Sequence, residues 1–237
     1  MRGFVSNREL DELGESVISS YLKGNDSCLC IDIEGFITDF LGLKIRYVSF
    51  AEEDKGKIGL LSDGRTEVQI YENGNAVGVV FPKWHIVLDK VLLTDNEWGR
   101  RRFTMAHEAA HYLLERHNPL MSMQFHRVLD SEKDYSGAEL AELLNINETQ
   151  ADKLAATLLM PRFIVERALK KYNREKPVRV YGQTIMAPKE KLAMRKMSDS
   201  IGVSFTALFI RLRDMGLLEF RDQDEYIKKH LVSGGAK

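Results

Sequence analysis

The sequence predicts an α+β fold, a small sheet followed by helices, and three observations carry that prediction. Short β-type runs crowd residues 44–88, a long helical pattern begins at Asn96, and the charge balance changes sign near residue 161. The 237 residues (27.1 kDa) are 44% hydrophobic and 29% charged, enough apolar material for a sizeable core. That composition excludes a wholly disordered chain, and no Gly-X-Y or heptad run points to a fibre. The apolar stretches are short, residues 76–82 being interrupted by Gly78, so no transmembrane helix is expected. The first residues turn charged at once and lack an apolar signal core. Cys28 and Cys30 are too few and too close for a disulfide framework, and are expected to be part-buried thiols between two helices. A cytoplasmic protein is the simplest expectation.

Taken in order, residues 7–22 and 31–42 read as amphipathic helices. The second places Ile31, Ile33, Phe36, Ile37 and Phe40 mostly on one side and stops at Gly42. The β-type runs are 44–50, 58–61, 67–71, 76–81 and 84–88, separated by turn signals at Asp63-Gly64, Asn73-Gly74-Asn75 and Pro82-Lys83. The Asn-Gly pair marks a hairpin, and the runs together suggest a small antiparallel or mixed sheet rather than repeated βαβ units. Helices follow over 96–116, 137–144 and 147–160, with residues 120–135 looped and Asn147 as the cap of the third. Residues 173–188, containing Pro177, Gly182 and Pro188, read as a linker. Helices over 188–200 and 204–215 then flank a turn at Ile201-Gly202-Val203.

The formal net charge of −1 hides an asymmetry. Residues 1–161 carry 17 Lys and Arg against 26 Asp and Glu, whereas residues 162–237 carry 17 against 9. Two domains are expected, 1–161 and 162–237, the basic one either attracted to the acidic one or facing an acidic partner.

The chemistry concentrates at His107-Glu108-Ala109-Ala110-His111, an H-E-x-x-H motif in a helical context. Four residues along an α-helix advance about 400°, so His107 and His111 stand about 40° apart, one turn above the other. Both imidazoles can then reach one metal. Glu108 is offset by about 100°, clear of the metal but within reach of an attacking water. Ala106, Ala109 and Ala110 let such a helix approach its neighbours closely. On the motif alone, histidines at the surface or hydrogen-bonded in a core remain the other reading.

A catalytic zinc site needs a third protein ligand and an open position. On the helix over 147–160, Glu148, Ala151, Asp152 and Ala155 share one face, with Leu154, Leu158 and Leu159 extending the apolar surface. Two acids above an Ala-lined seam suit packing against Ala109 and Ala110. Glu148 is then the candidate third ligand. Asp152 is the candidate acceptor orienting a ligand histidine from its far nitrogen, or else an exposed acid paired with a Lys or Arg.

The run Arg102-Phe103-Thr104-Met105-Ala106-His107-Glu108-Ala109-Ala110-His111-Tyr112-Leu113-Leu114, followed by Glu148-x-x-Ala151-Asp152-x-x-Ala155-Ala156-x-Leu158-Leu159-Met160-Pro161, resembles the ImmA/IrrE family of metallopeptidases. The spacing of 37 residues from His111 to Glu148 fits that family, and the resemblance spans about residues 30 to 162. It implies a zincin-like domain with a thermolysin-like site. His107, His111 and Glu148 would bind zinc, and Glu108 would act as general base on a water and return the proton to the leaving amine. It also implies a role in gene regulation, by limited cleavage of a specific protein, with a helix-turn-helix repressor as the expected partner. The donor for the tetrahedral oxyanion is not assigned. Tyr112, His117, His126, Tyr135 and Tyr181 are candidates by residue type, each read as structural or exposed. Substrates of such sites add as a strand to a sheet edge, for which 76–81 or 84–88 is expected.

Residues 189–215 have the form of a helix-turn-helix, with Gly202 in the turn and Ser204 as cap. The basic balance makes DNA a partner to weigh. Yet Ser204-Phe205-Thr206-Ala207-Leu208-Phe209 favours packing over base edges, and Arg211 and Arg213 fall late in the helix. The resemblance implies a helical scaffold for substrate recognition or intramolecular packing. Two other functions share these features, a non-catalytic zinc-containing module that binds protein or DNA and a broad-specificity, toxin-like protease. Glu108 argues against the first, because a structural zinc site needs no base.

Overall fold

The computed structural model describes residues 5–24, 27–51, 58–117 and 137–227. The chain divides into two compact units, one of Met1–Asn25 and Ile31–Leu159 and the other of Asp26–Cys30 and Met160–Lys237. The loop expected over 120–135 lies outside the described residues, as do His126 and Tyr135. No helix of the described residues is long and apolar enough to cross a membrane.

The first unit opens with α1 (Asn7–Leu22), started by a capping box in which Ser6 and Glu9 satisfy each other's backbone N–H groups. Leu10, Gly14 and Ile18, spaced by four, form its buried stripe. That stripe packs against α4 (Gly137–Leu159). The two helices approach so closely that a Cβ on Gly14 would lie 2.7 Å from Thr157 Cγ2. Beside this contact the Thr157 hydroxyl donates to Asp11 at 2.8 Å.

The helix expected over 31–42 is shorter than the periodicity suggests. The Asp32 carboxylate accepts the Gly35 N–H at 3.1 Å and sets the start of the regular turn α2, which covers only Ile33–Gly35. It widens at once into a π-type turn over Phe36–Phe40, with the Leu41 N–H donating five residues back to Phe36 at 3.0 Å. Phe36 and Phe40 stack at 5.6 Å between ring centres, and Tyr21 of α1 meets both edge-on.

Among the described residues five strands follow: β1 (Lys44–Val48), β2 (Gly59–Leu61), β3 (Glu67–Glu72), β4 (Asn75–Val80) and β5 (His85–Asp89). The main sheet is mixed, in the order β1-β5-β2, with β1 parallel and β2 antiparallel to β5. β3 and β4 form a separate hairpin. Asn73 and Gly74 both sit at positive φ, 52° and 82°, as a type I′ turn requires. The run over 84–88, expected as an edge, is instead the central strand. Ile86, Val87 and Leu88 are all fully buried, as three consecutive apolar residues in a strand covered on both faces must be. The strand begins at His85 because Trp84 sits at φ 66°, outside the extended region.

The long helix α3 (Trp98–His117) runs beneath β2 and β5, and α4 packs along it. Ala106, Ala109 and Ala110 of α3 and Ala151 and Ala155 of α4 are fully buried, which permits the close approach. α4 is one helix, not two broken at Asn147. An interior Asn costs only about 0.5 kcal/mol, and burial of Leu154, Ala155 and Leu158 on the same helix outweighs it.

The second unit contains α5 (Arg162–Asn173), β6 (Val178–Tyr181), α6 (Pro188–Ile201), α7 (Phe205–Asp214), β7 (Leu218–Arg221) and α8 (Gln223–Tyr226). The linker expected over 173–188 holds a strand, since β6 pairs in parallel with β7. The alternation Val178-Arg179-Val180-Tyr181 carried that signal between its flanking prolines. α6 and α7 have the helix-turn-helix form. Pro188 opens α6, Gly202 closes it at φ 78°, and Ser204 accepts the Ala207 N–H at 3.1 Å. Arg211 points inward, 6% exposed, and donates from Nε to the Met160 carbonyl at 3.0 Å. Cys28 and Cys30 are of intermediate burial, and neither is in a disulfide among the described residues.

Candidate metal centre

α3 and α4 bring four of the side chains singled out above to one place in the first unit. His107 Nε2 lies 3.0 Å from His111 Nε2 and 3.1 Å from Glu148 Oε2, and His111 Nε2 lies 3.5 Å from Glu148 Oε1. The helical turn between the two histidines sets the first distance, with the rings edge-to-face. The register of α4 along the alanine seam sets the other two. Asp152, one turn after Glu148, accepts from His107 Nδ1 at 2.9 Å. That bond fixes the proton on Nδ1 and turns the Nε2 lone pair towards Glu148 and His111.

Three lone-pair-bearing atoms brought this close need a shared proton or a cation among them. A tetrahedral zinc site with Zn–N bonds of 2.0–2.1 Å spaces its ligand atoms by about 3.3 Å, close to the separations here. Two imidazoles and a carboxylate form a donor set for a divalent cation of borderline softness. His107, His111 and Glu148 thus fit such an ion.

Burial works against a charged His107, but its hydrogen bond to Asp152 and the carboxylates of Glu108, Asp152 and Glu148 outweigh it and hold the imidazole above its usual range. Glu148 is held below the usual carboxylate range, chiefly by its hydrogen bond to His111, although burial opposes this. Glu108 stands apart from the ligand trio and is 6% exposed. Its burial pushes the carboxyl upward, against the pull of His111 and His107.

Glu108 faces β2, and sequence reasoning missed that strand's part in the site. The Ser62 N–H donates to His85 O and the Asp89 N–H to Ile58 O, so antiparallel alternation turns the backbone groups of Gly59 and Leu61 away from β5. The Leu61 N–H bonds the Glu108 carboxylate. β2, not β5, is therefore the sheet edge beside the H-E-x-x-H helix. The signal available was Gly59, since a glycine within a strand often marks close backbone approach.

Among the candidate oxyanion donors, Tyr112 packs edge-to-face on Trp84 with ring centres 5.1 Å apart. Tyr181 is buried in the second unit against Tyr226. No curated protein matches the chain. The peptidase family described as the IrrE N-terminal-like domain matches residues 91–212, a stretch that includes His107, Glu108, His111, Glu148 and Asp152. With over half its length matched and a His-His-Glu cluster of metal-site form on α3 and α4, the chain belongs to the IrrE N-terminal-like peptidase family.

Proposed function

We propose that this protein is a zinc-dependent endopeptidase of the cytoplasm that cuts one specific regulatory protein, a helix-turn-helix repressor. The observation that carries the reading is the convergence of His107, His111 and Glu148 with a buried carboxylate, Glu108, beside them. Zinc held by the trio would supply Lewis acidity, lowering the pKa of water towards about 7 and polarising a peptide carbonyl. Glu108 accepts the proton of the attacking water and delivers it to the amine as the C–N bond breaks. Its raised carboxyl suits both halves of that exchange. Asp152 keeps the His107 ring in one tautomer and one orientation. The outward backbone groups of β2 other than the Leu61 N–H, which Glu108 takes, offer an edge on which an extended peptide can add as a further strand.

The choice of a repressor as substrate rests on the family resemblance, and a digestion experiment tests it. Zinc-loaded parent and Glu108→Gln proteins are incubated with purified helix-turn-helix repressors and with casein, and products are read by intact mass spectrometry. A single cut in one repressor, none in casein and none by the variant is the expected outcome. Cuts throughout casein would establish a broad-specificity protease instead. Zinc bound with no cleavage of either would establish the non-catalytic module, and full activity in Glu108→Gln would remove Glu108 as base.

A further inference from the structure

Glycine at position 59 stands in the strand that faces the general base, and its missing side chain has a definite neighbour on each side. A Cβ built there would lie 2.5 Å from Thr104 Cγ2, 3.1 Å from Glu108 Oε1 and 3.2 Å from Leu88 Cδ2. The first distance is far inside van der Waals contact, and the second can be relieved only by moving the carboxylate. The backbone at Gly59 is that of a strand, not left-handed, so conformational freedom is no reason for glycine here. Thr104 is 7% exposed, and its hydroxyl is already committed to the Arg100 carbonyl at 3.0 Å. Two residues along β2, the Leu61 N–H bonds the same Glu108 carboxylate.

We propose that Gly59 is a positioning residue for the base: its bare Cα and the Leu61 N–H form a backbone socket on β2 that seats Thr104 and aims Glu108. This rests on the reading of Glu108 as general base. The socket accounts for a carboxylate held in one place while almost wholly buried. A side chain at 59 would fill the seat and push Glu108 from its aim, while His107, His111 and Glu148, which hang from α3 and α4, keep their places.

The test uses the full chain loaded with zinc in four forms: parent, Gly59→Ala, Thr104→Ser and the double variant. Turnover is measured on the best-cleaved peptide of a quenched fluorogenic library. Zinc content stays the same in all four. Gly59→Ala lowers kcat on the order of 10-fold with KM little changed, as a base pushed aside by a few tenths of an ångström predicts. Thr104→Ser, which removes the methyl at 2.5 Å, recovers the Tm lost in Gly59→Ala but only part of the kcat, because the Glu108 contact persists. Parental kcat in a folded Gly59→Ala, or a rise confined to KM, overturns the proposal. So does complete recovery of kcat in the double variant, which would make the effect one of helix spacing alone. The Tm comparison needs no turnover, and absence of coupling between positions 59 and 104 refutes the socket by itself. Glu108→Gln, measured alongside, separates the two ideas. If it keeps full activity the base reading fails, whereas an inactive Glu108→Gln beside a fully active Gly59→Ala sinks only the socket.

Discussion

Asp152 offers the sharpest test of how α4 supports the metal centre. Its carboxylate accepts from His107 Nδ1 at 2.9 Å, and the side chain is 58% exposed. Replacing Asp152 by alanine removes the acceptor that fixes the His107 tautomer, so part of the imidazole population presents Nε2 protonated and cannot ligate. Loss of such a supporting partner lowers metal affinity by about 10–100-fold, about 1.4–2.7 kcal/mol. Because water can replace an exposed acceptor, the expectation sits at the lower end, about 10-fold. Asp152→Asn retains an oxygen acceptor but loses the charge, and is expected to fall between parent and Asp152→Ala. Competition with a fluorescent zinc chelator at fixed pH and ionic strength reads the affinity directly. Equal zinc affinity in parent and Asp152→Ala would show that the Asp152–His107 bond contributes nothing to ligation, and the argument about tautomer fixing would fall.

Three further outcomes follow from the packing and the surface. Gly14→Ala ordinarily favours a helix by about 0.5–1 kcal/mol, yet the contact with Thr157 makes it overpacked at a cost of about 1–3 kcal/mol. A net loss near 1 kcal/mol, a Tm lower by about 2–4 °C, is expected by calorimetry; a Tm above the parent's would contradict the helix spacing. Asp63 accepts the backbone N–H groups of Arg65 and Thr66 and the Thr66 hydroxyl, which hold its carboxyl at about 2 against an ordinary 3.8. A depressed folded-state pKa gives stability that is present above the unfolded value and lost on acidification. The Tm deficit of Asp63→Ala, worth at most about 1 kcal/mol at so exposed a site, should therefore shrink between about pH 4 and pH 2. A deficit constant across that range would refute it. Arg211→Ala leaves the Met160 carbonyl without its donor and empties a buried site, so the second unit should lose about 2–3 kcal/mol in urea unfolding. A loss below about 0.5 kcal/mol would instead mark Arg211 as a surface residue.

The convergence of His107, His111 and Glu148 was legible in the sequence because helical periodicity is local. Two histidines four apart must share a face, and Glu148 and Asp152 four apart must do the same wherever their helix docks. The alanines on both helices announced how close that docking would be. What the sequence hid was non-local. Which strand lies at the sheet edge depends on pairing between β1 and β5, about 40 residues apart, and no turn chemistry encodes it. Residues 86–88 did carry a sign of centrality, an unbroken apolar triplet, but position along the chain favoured reading that strand as an edge. The π-type turn at Phe36–Phe40 was hidden for another reason. Its apolar spacing matches an α-helix, and what separates the two is the backbone bond from the Leu41 N–H five residues back to Phe36, which no side-chain pattern encodes. β6 was masked by the prolines around it, which mark its limits instead of excluding a strand.

The central claim is that His107, His111 and Glu148 together hold one metal ion. Elemental mass spectrometry of the purified full chain, equilibrated with zinc and freed of excess, tests it beside Glu148→Ala. The account predicts close to one zinc per chain in the parent and a clear loss in the variant. A parent that retains little zinc, or a variant that retains as much as the parent, would contradict it.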